Sequence, residues 1–326
     1  MRRYTRTLVA AALAVTVVAG TAGWASGSAQ RAVTGPPVGS EAWTAAGLPD
    51  PERTSPSEVA AFFHGLSPAR QQELLRAHPS VVGNLDGVPP TLRYEANALT
   101  LGAQYAGQQV LASDPRGRGQ IALVSGDLTT AEHVAVVVPG SDIDAGNIRP
   151  LTDMADALRR ATDSRTAVIA WAGYTTPVGV GVDAATGDLA EAGAERLTRL
   201  TDGLAAVGAP APSLFCHSYG SVVCGLAAHD LKAKDLVVFG SPGMRAATVG
   251  ELRTSARVWA AKDPSDWIDR VPNVSFAGLG HGADPTAPAF GARRVPADDA
   301  QGHNGYFATG TQSLRTFAAI AQGDAR

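Results

Sequence analysis

The stretch Leu214-Phe215-Cys216-His217-Ser218-Tyr219-Gly220-Ser221 sets a serine between an apolar run and an Ala/Val/Leu-rich helical pattern. A serine hydroxyl becomes a nucleophile when a base takes its proton, and the base in turn needs a group that orients it. Residues of those types follow in the order acid, then histidine. Asp263 and Asp266 come just after the apolar run Ala256 to Ala261, and His281 and His303 come later. The chemistry open to such a set is acyl transfer through a covalent intermediate on Ser218.

A nucleophile of this kind needs a strained turn between a strand and a helix, with small neighbours where the two pass each other. Gly220 meets that demand on the helix side; Cys216 stands where a second glycine is usual. The oxyanion of the reaction needs backbone N–H donors, one from Tyr219 after the nucleophile and one from Ser141 in Gly140-Ser141-Asp142. That loop follows Val134 to Val138, the first of several short apolar, β-branched runs that read as buried strands. The others are Thr166 to Trp171, Pro212 to Phe215, Asp235 to Gly240 and Ala256 to Ala261, with Phe290 to Val295 expected as the last and Val274 to Leu279 its rival. Helical patterns lie between them at Ile148 to Ala161, Asp188 to Val207 and from the serine turn to about His229, and a hairpin precedes them around Asp114 to Gly117. This alternation predicts a mainly parallel, doubly wound sheet in an α/β-hydrolase fold, with ligands beyond the carboxyl ends of the strands. Upstream, Ser55-Pro56-Ser57-Glu58 and Ser67-Pro68 open two helices and Leu92 to Tyr105 is a third amphipathic segment, a helical extension ahead of the sheet.

The chain has 326 residues, 45% hydrophobic, with 36 Gly, 21 Pro and a net charge of −3. That describes a loop-rich globular protein with no basic footprint for nucleic acid. Met1 to Arg6 is basic and Leu8 to Gly20 apolar, followed by small residues with cleavage positions after Ala25 or Ala29. The expected organisation is a signal peptide over 1–31, a linker over 32–54, a helical segment over 55–107 packed on the catalytic domain, and that domain over 108–326. Secretion is the expected fate; an uncleaved N-terminal anchor is the alternative, and either allows transient association with the cell envelope. The two cysteines, Cys216 and Cys224, are either bridged, as an oxidising compartment favours, or two buried thiols. No phosphate loop, dinucleotide fingerprint or metal-ligand cluster is present in the sequence, so no cofactor and no metal is expected.

With these residues in hand, the chain resembles an actinobacterial secreted α/β-hydrolase domain family first catalogued as of unknown function. The resemblance rests on Leu66-Ser67-Pro68, Asn84 to Pro89 with Arg93 and Asn97, Gly126-Asp127-Leu128, Val136 to Gly140 and Trp171 to Tyr174. It continues through Cys216 to Ser221, Gly240 to Gly243, Asp266-Trp267-Ile268, Gly280-His281-Gly282 and His303 to Phe307. It implies a serine-hydrolase fold and does not supply a substrate. His303 is the expected base, a reading that the resemblance also supports, with His281 the alternative. Asp266, in an Asp-x-Ile acid loop, is the expected acid, with Asp263 the alternative. His217 is expected to support the turn from beneath, and Tyr174 with the 173–187 loop either lines an acyl pocket or is plain surface. The expected activity is cleavage of a small-molecule or lipid-like carboxylic ester by Ser218, Asp266 and His303. A peptidase or amidase using the same residues, or a silent envelope binding protein, is the alternative.

Overall fold

Runs of valine, isoleucine and alanine are stable as strands only when both faces are covered, and this chain covers them with helices. The structure, a computed structural model, describes residues 30–271, 275–276 and 279–325. Its main sheet comprises β1 (Gln109–Asp114), β2 (Gln120–Ser125), β3 (His133–Val138), β4 (Thr166–Ala172), β5 (Ser213–His217), β6 (Asp235–Phe239), β7 (Arg257–Ala261) and the short β8 (Arg293–Arg294). Their spatial order is β1-β2-β4-β3-β5-β6-β7-β8. β2 runs antiparallel to both β1 and β4, and the remaining pairs are parallel. This is the strand order of the α/β-hydrolase fold. β4, β5 and β6 are buried along their whole length.

Two apolar layers flank the sheet. One packs the helices Asp188–Ala206 and Gly220–Ala227 on one face through Leu189, Leu197, Leu200, Val222 and Val223. The other packs Arg149–Ala161 and Gln312–Gln322 on the opposite face through Leu151, Leu158, Phe317 and Ile320. The N-terminal extension has a third core of its own, with Trp43, Val59, Phe63, Leu74 and Val81. Ser55 opens the helix Pro56–His64 with a reciprocal cap: its hydroxyl accepts from the Glu58 N–H while the Glu58 carboxylate accepts the Ser55 N–H at 2.8 Å.

Three expectations change. The 32–54 linker is ordered chain, with a helix at Ser40–Ala45 and Trp43 fully buried, its indole donating to the Pro49 carbonyl at 2.7 Å. The last strand shrinks to Arg293–Arg294, because Pro288–Phe290 forms a 3-10 turn and Pro296 follows Val295. Its rival stretch forms a two-stranded ribbon outside the main sheet, Ser275–Phe276 against Leu279–Gly280. The expected signal peptide or anchor lies outside the described residues. Among those described, no helix is long and apolar enough to cross a membrane.

Candidate active site

β5 ends at His217, and the helix Gly220–Ala227 begins three residues on, so Ser218 must reverse the chain almost within one residue. It does so at φ 51°, a left-handed conformation that side chains other than glycine rarely adopt. The Ser218 N–H donates to the Phe239 carbonyl at 3.0 Å and the Ser218 carbonyl accepts from Ser221 N–H at 2.9 Å, which hold the strained turn in place. The neighbours leave no room for side chains. A Cβ on Gly220 would sit 2.5 Å from the Pro139 oxygen, and one on Gly140 would sit 2.6 Å from the Ser218 Cβ. The half-buried Ser218 therefore faces the loop that follows β3.

Where a second glycine is usual, Cys216 turns its side chain into a disulfide with Cys224 on the following helix. The bridge ties the strand before Ser218 to the helix after it.

Asp266 and His303 come together. Asp266 caps the 3-10 turn Trp267–Arg270, accepting the Ile268 N–H at 2.9 Å. The same oxygen lies 2.8 Å from His303 Nδ1, and its other oxygen accepts the Tyr306 hydroxyl at 2.7 Å. Burial acts to raise the Asp266 carboxyl, but hydrogen bonds from His303, the Ile268 N–H and Tyr306 outweigh it and hold the pKa below the usual carboxylate value. An ionised Asp266 makes Nδ1 the donor and leaves Nε2 as the basic nitrogen. The Trp267 ring covers His303 at 4.5 Å between centroids, and a Cβ on Gly240 would meet both the imidazole and the carboxylate at 3.0–3.1 Å.

Asp263 is not in the pair. Its carboxylate accepts the N–H groups of Gln301 (3.3 Å) and Gly302 (3.1 Å), both in left-handed backbone, and so turns the chain into His303. His217 lies beneath the turn, its Nε2 2.9 Å from the His303 carbonyl and its ring stacked on Phe239. Burial, then the neighbouring His303, pushes its pKa down to about 3, so it is a neutral support at ordinary pH. His281 is buried edge-on against the Tyr219 ring at 5.8 Å, and among the described contacts no carboxylate hydrogen-bonds it. Burial and Arg245 push its pKa down to about 4.

Among the described hydrogen bonds none joins His303 to the Ser218 hydroxyl; such contacts are often long before substrate arrives. The shared contact with His217 brings the His303 ring to 4.7 Å from the His217 ring, next to the serine turn.

The loop after β3 is anchored rather than free. Asp142, at φ 66°, donates its N–H to the Pro177 carbonyl at 2.8 Å and accepts the Gly179 N–H on its side chain at 2.9 Å. Tyr174 is no pocket wall: it is fully buried, stacks on Trp171 and donates its hydroxyl to the Pro139 carbonyl at 2.7 Å. Its ring lies against Gly193, where a Cβ would come within 3.0 Å. Tyr219 likewise turns its side chain away, to the Thr186 carbonyl at 3.2 Å, and offers only backbone toward Ser218. A cavity of about 500 Å³ lies elsewhere, lined by Val33, Asp114, Gln120, Trp171 and Arg196, at the seam with the N-terminal extension.

Two participants escape the sequence patterns. Tyr306 holds both acid loops, donating to Asp266 and accepting the Asp263 N–H at 3.0 Å; the sequence offers it only as part of the stretch His303 to Phe307, with no role attached. Gln30, within the segment expected as leader and just after its second cleavage position, reaches the loop that holds Asp142, a contact that no sequence pattern marks.

The strand order and the serine turn together define an α/β-hydrolase. A family model described as "Alpha/beta hydrolase" matches residues 114–276, half of the chain, and the protein belongs to that family. Among curated proteins it is similar to two uncharacterized proteins of Mycobacterium tuberculosis, MT2140 and Rv2079, each 27% identical over an alignment that takes in 84% of this chain and 56% of the relative. The chain thus spans about half the length of those relatives. Among solved structures it is similar to the esterase domain of a Rhodothermus marinus protein (15% identity, 63% of this chain and 91% of that one, TM-score 0.36). It is also similar to XC6422 of Xanthomonas campestris, described as an a/b serine hydrolase without lid (18% identity, 63% and 88%, TM-score 0.37).

Proposed function

We propose that the protein is an exported serine hydrolase that cleaves carboxylic esters through an acyl-enzyme, with Ser218 as nucleophile, His303 as base and Asp266 as its orienting acid. The observation that carries the reading is the coincidence of a serine at φ 51° on a strand-to-helix turn with a buried Asp–His pair presented beside it. In this scheme His303 Nε2 takes the Ser218 proton as Oγ attacks the ester carbonyl. The negative charge passes to the carbonyl oxygen, where the N–H groups of Tyr219 and Ser141 receive it. Collapse breaks the bond to the alkoxy group, which leaves as the alcohol with the proton from His303. A water, deprotonated by His303, then releases the acid and restores Ser218. Asp266 stays ionised throughout and stabilises the imidazolium.

A fluorophosphonate probe tests this directly. The mature protein is expected to be labelled, and Ser218→Ala and His303→Ala to lose labelling while His281→Ala keeps it. A folded parent that resists the probe would remove the reading, and loss of labelling in His281→Ala with His303→Ala still reactive would move the base.

A further inference from the structure

Four hydrogen bonds join the first described residues to the loop 175–183, which in turn holds the loop after β3. The Gln30 N–H donates to Asp183 Oδ2 at 3.0 Å, and its side-chain amide donates to the Thr176 carbonyl at 3.2 Å and accepts from the Val178 N–H at 2.9 Å. Val33 N–H adds a bond to the Thr175 hydroxyl at 3.1 Å. The residues that Gln30 brackets are the same ones that hold the loop after β3. Pro177 accepts from the Asp142 N–H, Gly179 donates to the Asp142 carboxylate, and the Thr176 hydroxyl donates to the Ile143 carbonyl at 2.7 Å. Ser141, one residue before Asp142, is the expected oxyanion donor. Gln30 thus lies two hydrogen-bonded layers from the place where charge develops in the reaction.

The charge of the donor at the backbone nitrogen of Gln30 depends on where the chain is cut. A main-chain N–H is a neutral donor, and here it meets a carboxylate, half-buried, that forms no ion pair among the described residues. If the peptide bond before Gln30 is cut, that nitrogen becomes an α-ammonium, and the hydrogen bond becomes charged on both sides, which is the stronger form. The other sequence-level cleavage position, after Ala25, would leave the neutral amide in place.

We infer that the exported chain is processed between Ala29 and Gln30, and that the new α-ammonium of Gln30 docks on Asp183, making the strap Gln30–Val33 a positioning element for the oxyanion loop. The inference rests on the hydrolase reading for its catalytic consequence, but the docking itself can be seen without any turnover. Processing sets the loop by replacing a neutral donor with a charged one, so the precursor holds the same loop more weakly. Gln30 and Asp183 touch no reacting atom; they act through Pro177, Gly179 and Asp142. The docked amine is also kept from the usual fate of an N-terminal glutamine, in which the α-amine attacks the side-chain amide carbon and expels ammonia to close a lactam. The side-chain amide is instead held by its hydrogen bonds to Thr176 and Val178.

The test uses the full-length chain exported by a bacterial secretion host, as parent, Asp183→Asn, Asp183→Glu and Gln30→Ala. Mass spectrometry of the freshly secreted parent is expected to show a free glutamine at 30; a start at Ser26, or a lactam at 30, overturns the inference. The parent's α-amine is expected to resist reductive methylation, and in Asp183→Asn to react about tenfold faster, with Asp183→Glu restoring most of the protection. Hydrogen exchange over residues 140–147 is expected to quicken in Asp183→Asn and Gln30→Ala. Their kcat on an activated ester should fall about 10- to 100-fold with KM unchanged. Unprotected amine with unchanged exchange overturns the docking whatever the activity. A protected amine in a parent that never reacts with the fluorophosphonate leaves the docking standing and sinks the hydrolase reading instead.

Discussion

The two ends of the parallel strands each bury a carboxylate, and they use it in opposite ways. At the amino edge Asp235, fully buried, accepts from Arg257 Nε (2.7 Å) and Nη2 (3.0 Å), Trp259 Nε1 (2.8 Å) and the Ser213 hydroxyl (3.1 Å). Every partner there is permanently charged or never titrates near neutrality, so the cluster can only hold β5, β6 and β7 in register. At the carboxyl edge Asp266, equally buried, accepts from a backbone N–H, a tyrosine and a histidine. Burial keeps the Tyr306 hydroxyl protonated, with its pKa raised, so it donates at all working pH. The histidine is the one partner with a second ring nitrogen, and its side chain is 10% exposed. The lesson is that a buried carboxylate becomes available for chemistry when one of its donors is an imidazole that reaches the surface. Satisfaction of its hydrogen bonds alone does not distinguish the two sites.

Exchanging each carboxylate for its amide separates the two ends most sharply. Asp266→Asn is expected to lower kcat about 10⁴-fold by favouring the wrong His303 tautomer, with thermal unfolding little changed. Asp235→Asn is expected to do the reverse, costing about 3–5 kcal/mol in chemical denaturation while folded protein keeps near-parental kcat. Loss of activity without loss of stability in Asp235→Asn would break the contrast.

Next in size is the bridge beside Ser218. Replacing Cys216 and Cys224 together by serine is expected to cost about 2–3 kcal/mol in urea unfolding, the constraint of closing a short loop in the unfolded chain. An effect on labelling rate larger than on stability would mean that the bridge also sets the nucleophile's position.

The pH dependence follows from two buried rings at the carboxyl edge. His217 and His281 have pKa values depressed from 6.5 to about 3 and about 4 by burial. The unfolded chain therefore binds protons that the folded one refuses. The contribution is complete above about pH 6.5 and falls as pH drops towards those folded values, by roughly 2 kcal/mol per ring at about pH 5. Denaturation midpoints measured across that range for the parent and His217→Gln check the sign, since the variant should lose the steeper part of the slope. The smallest effect belongs to Tyr306→Phe, which deletes one donor to Asp266. About 1 kcal/mol of stability and a several-fold fall in kcat are expected, read from the same two assays.

The parts of this comparison that could be read from the sequence are those fixed by local pattern. The valine-rich runs form β3 to β7 because short, β-branched apolar segments bounded by turn residues favour buried strands over helices. The serine turn and the order acid, then histidine are legible because each candidate follows an apolar run that reads as a strand. What was not legible depends on tertiary contact. Trp43 sits in a Gly/Pro-rich stretch whose composition reads as linker, and only its burial among Phe63 and His78 makes that stretch structure. Tyr174 follows a strand in a loop, a place equally suited to a pocket wall or a strut, and its hydroxyl bond to Pro139 decides for the strut. Asp263 and Asp266 share one loop, and no spacing tells which carboxylate meets the histidine and which meets the backbone before it. The same holds for Gln30, whose partners lie about 150 residues along the chain.

The Cys216–Cys224 bond has a consequence for timing. A bond between these sulfurs persists only where thiols are oxidised. On the reducing side of a membrane the serine turn would rest on packing and hydrogen bonds alone, with its strained backbone unstapled. If the chain is exported as proposed, the fully braced turn exists only after passage outward, and the bridge beside Ser218 would record which side of the membrane the chain is on.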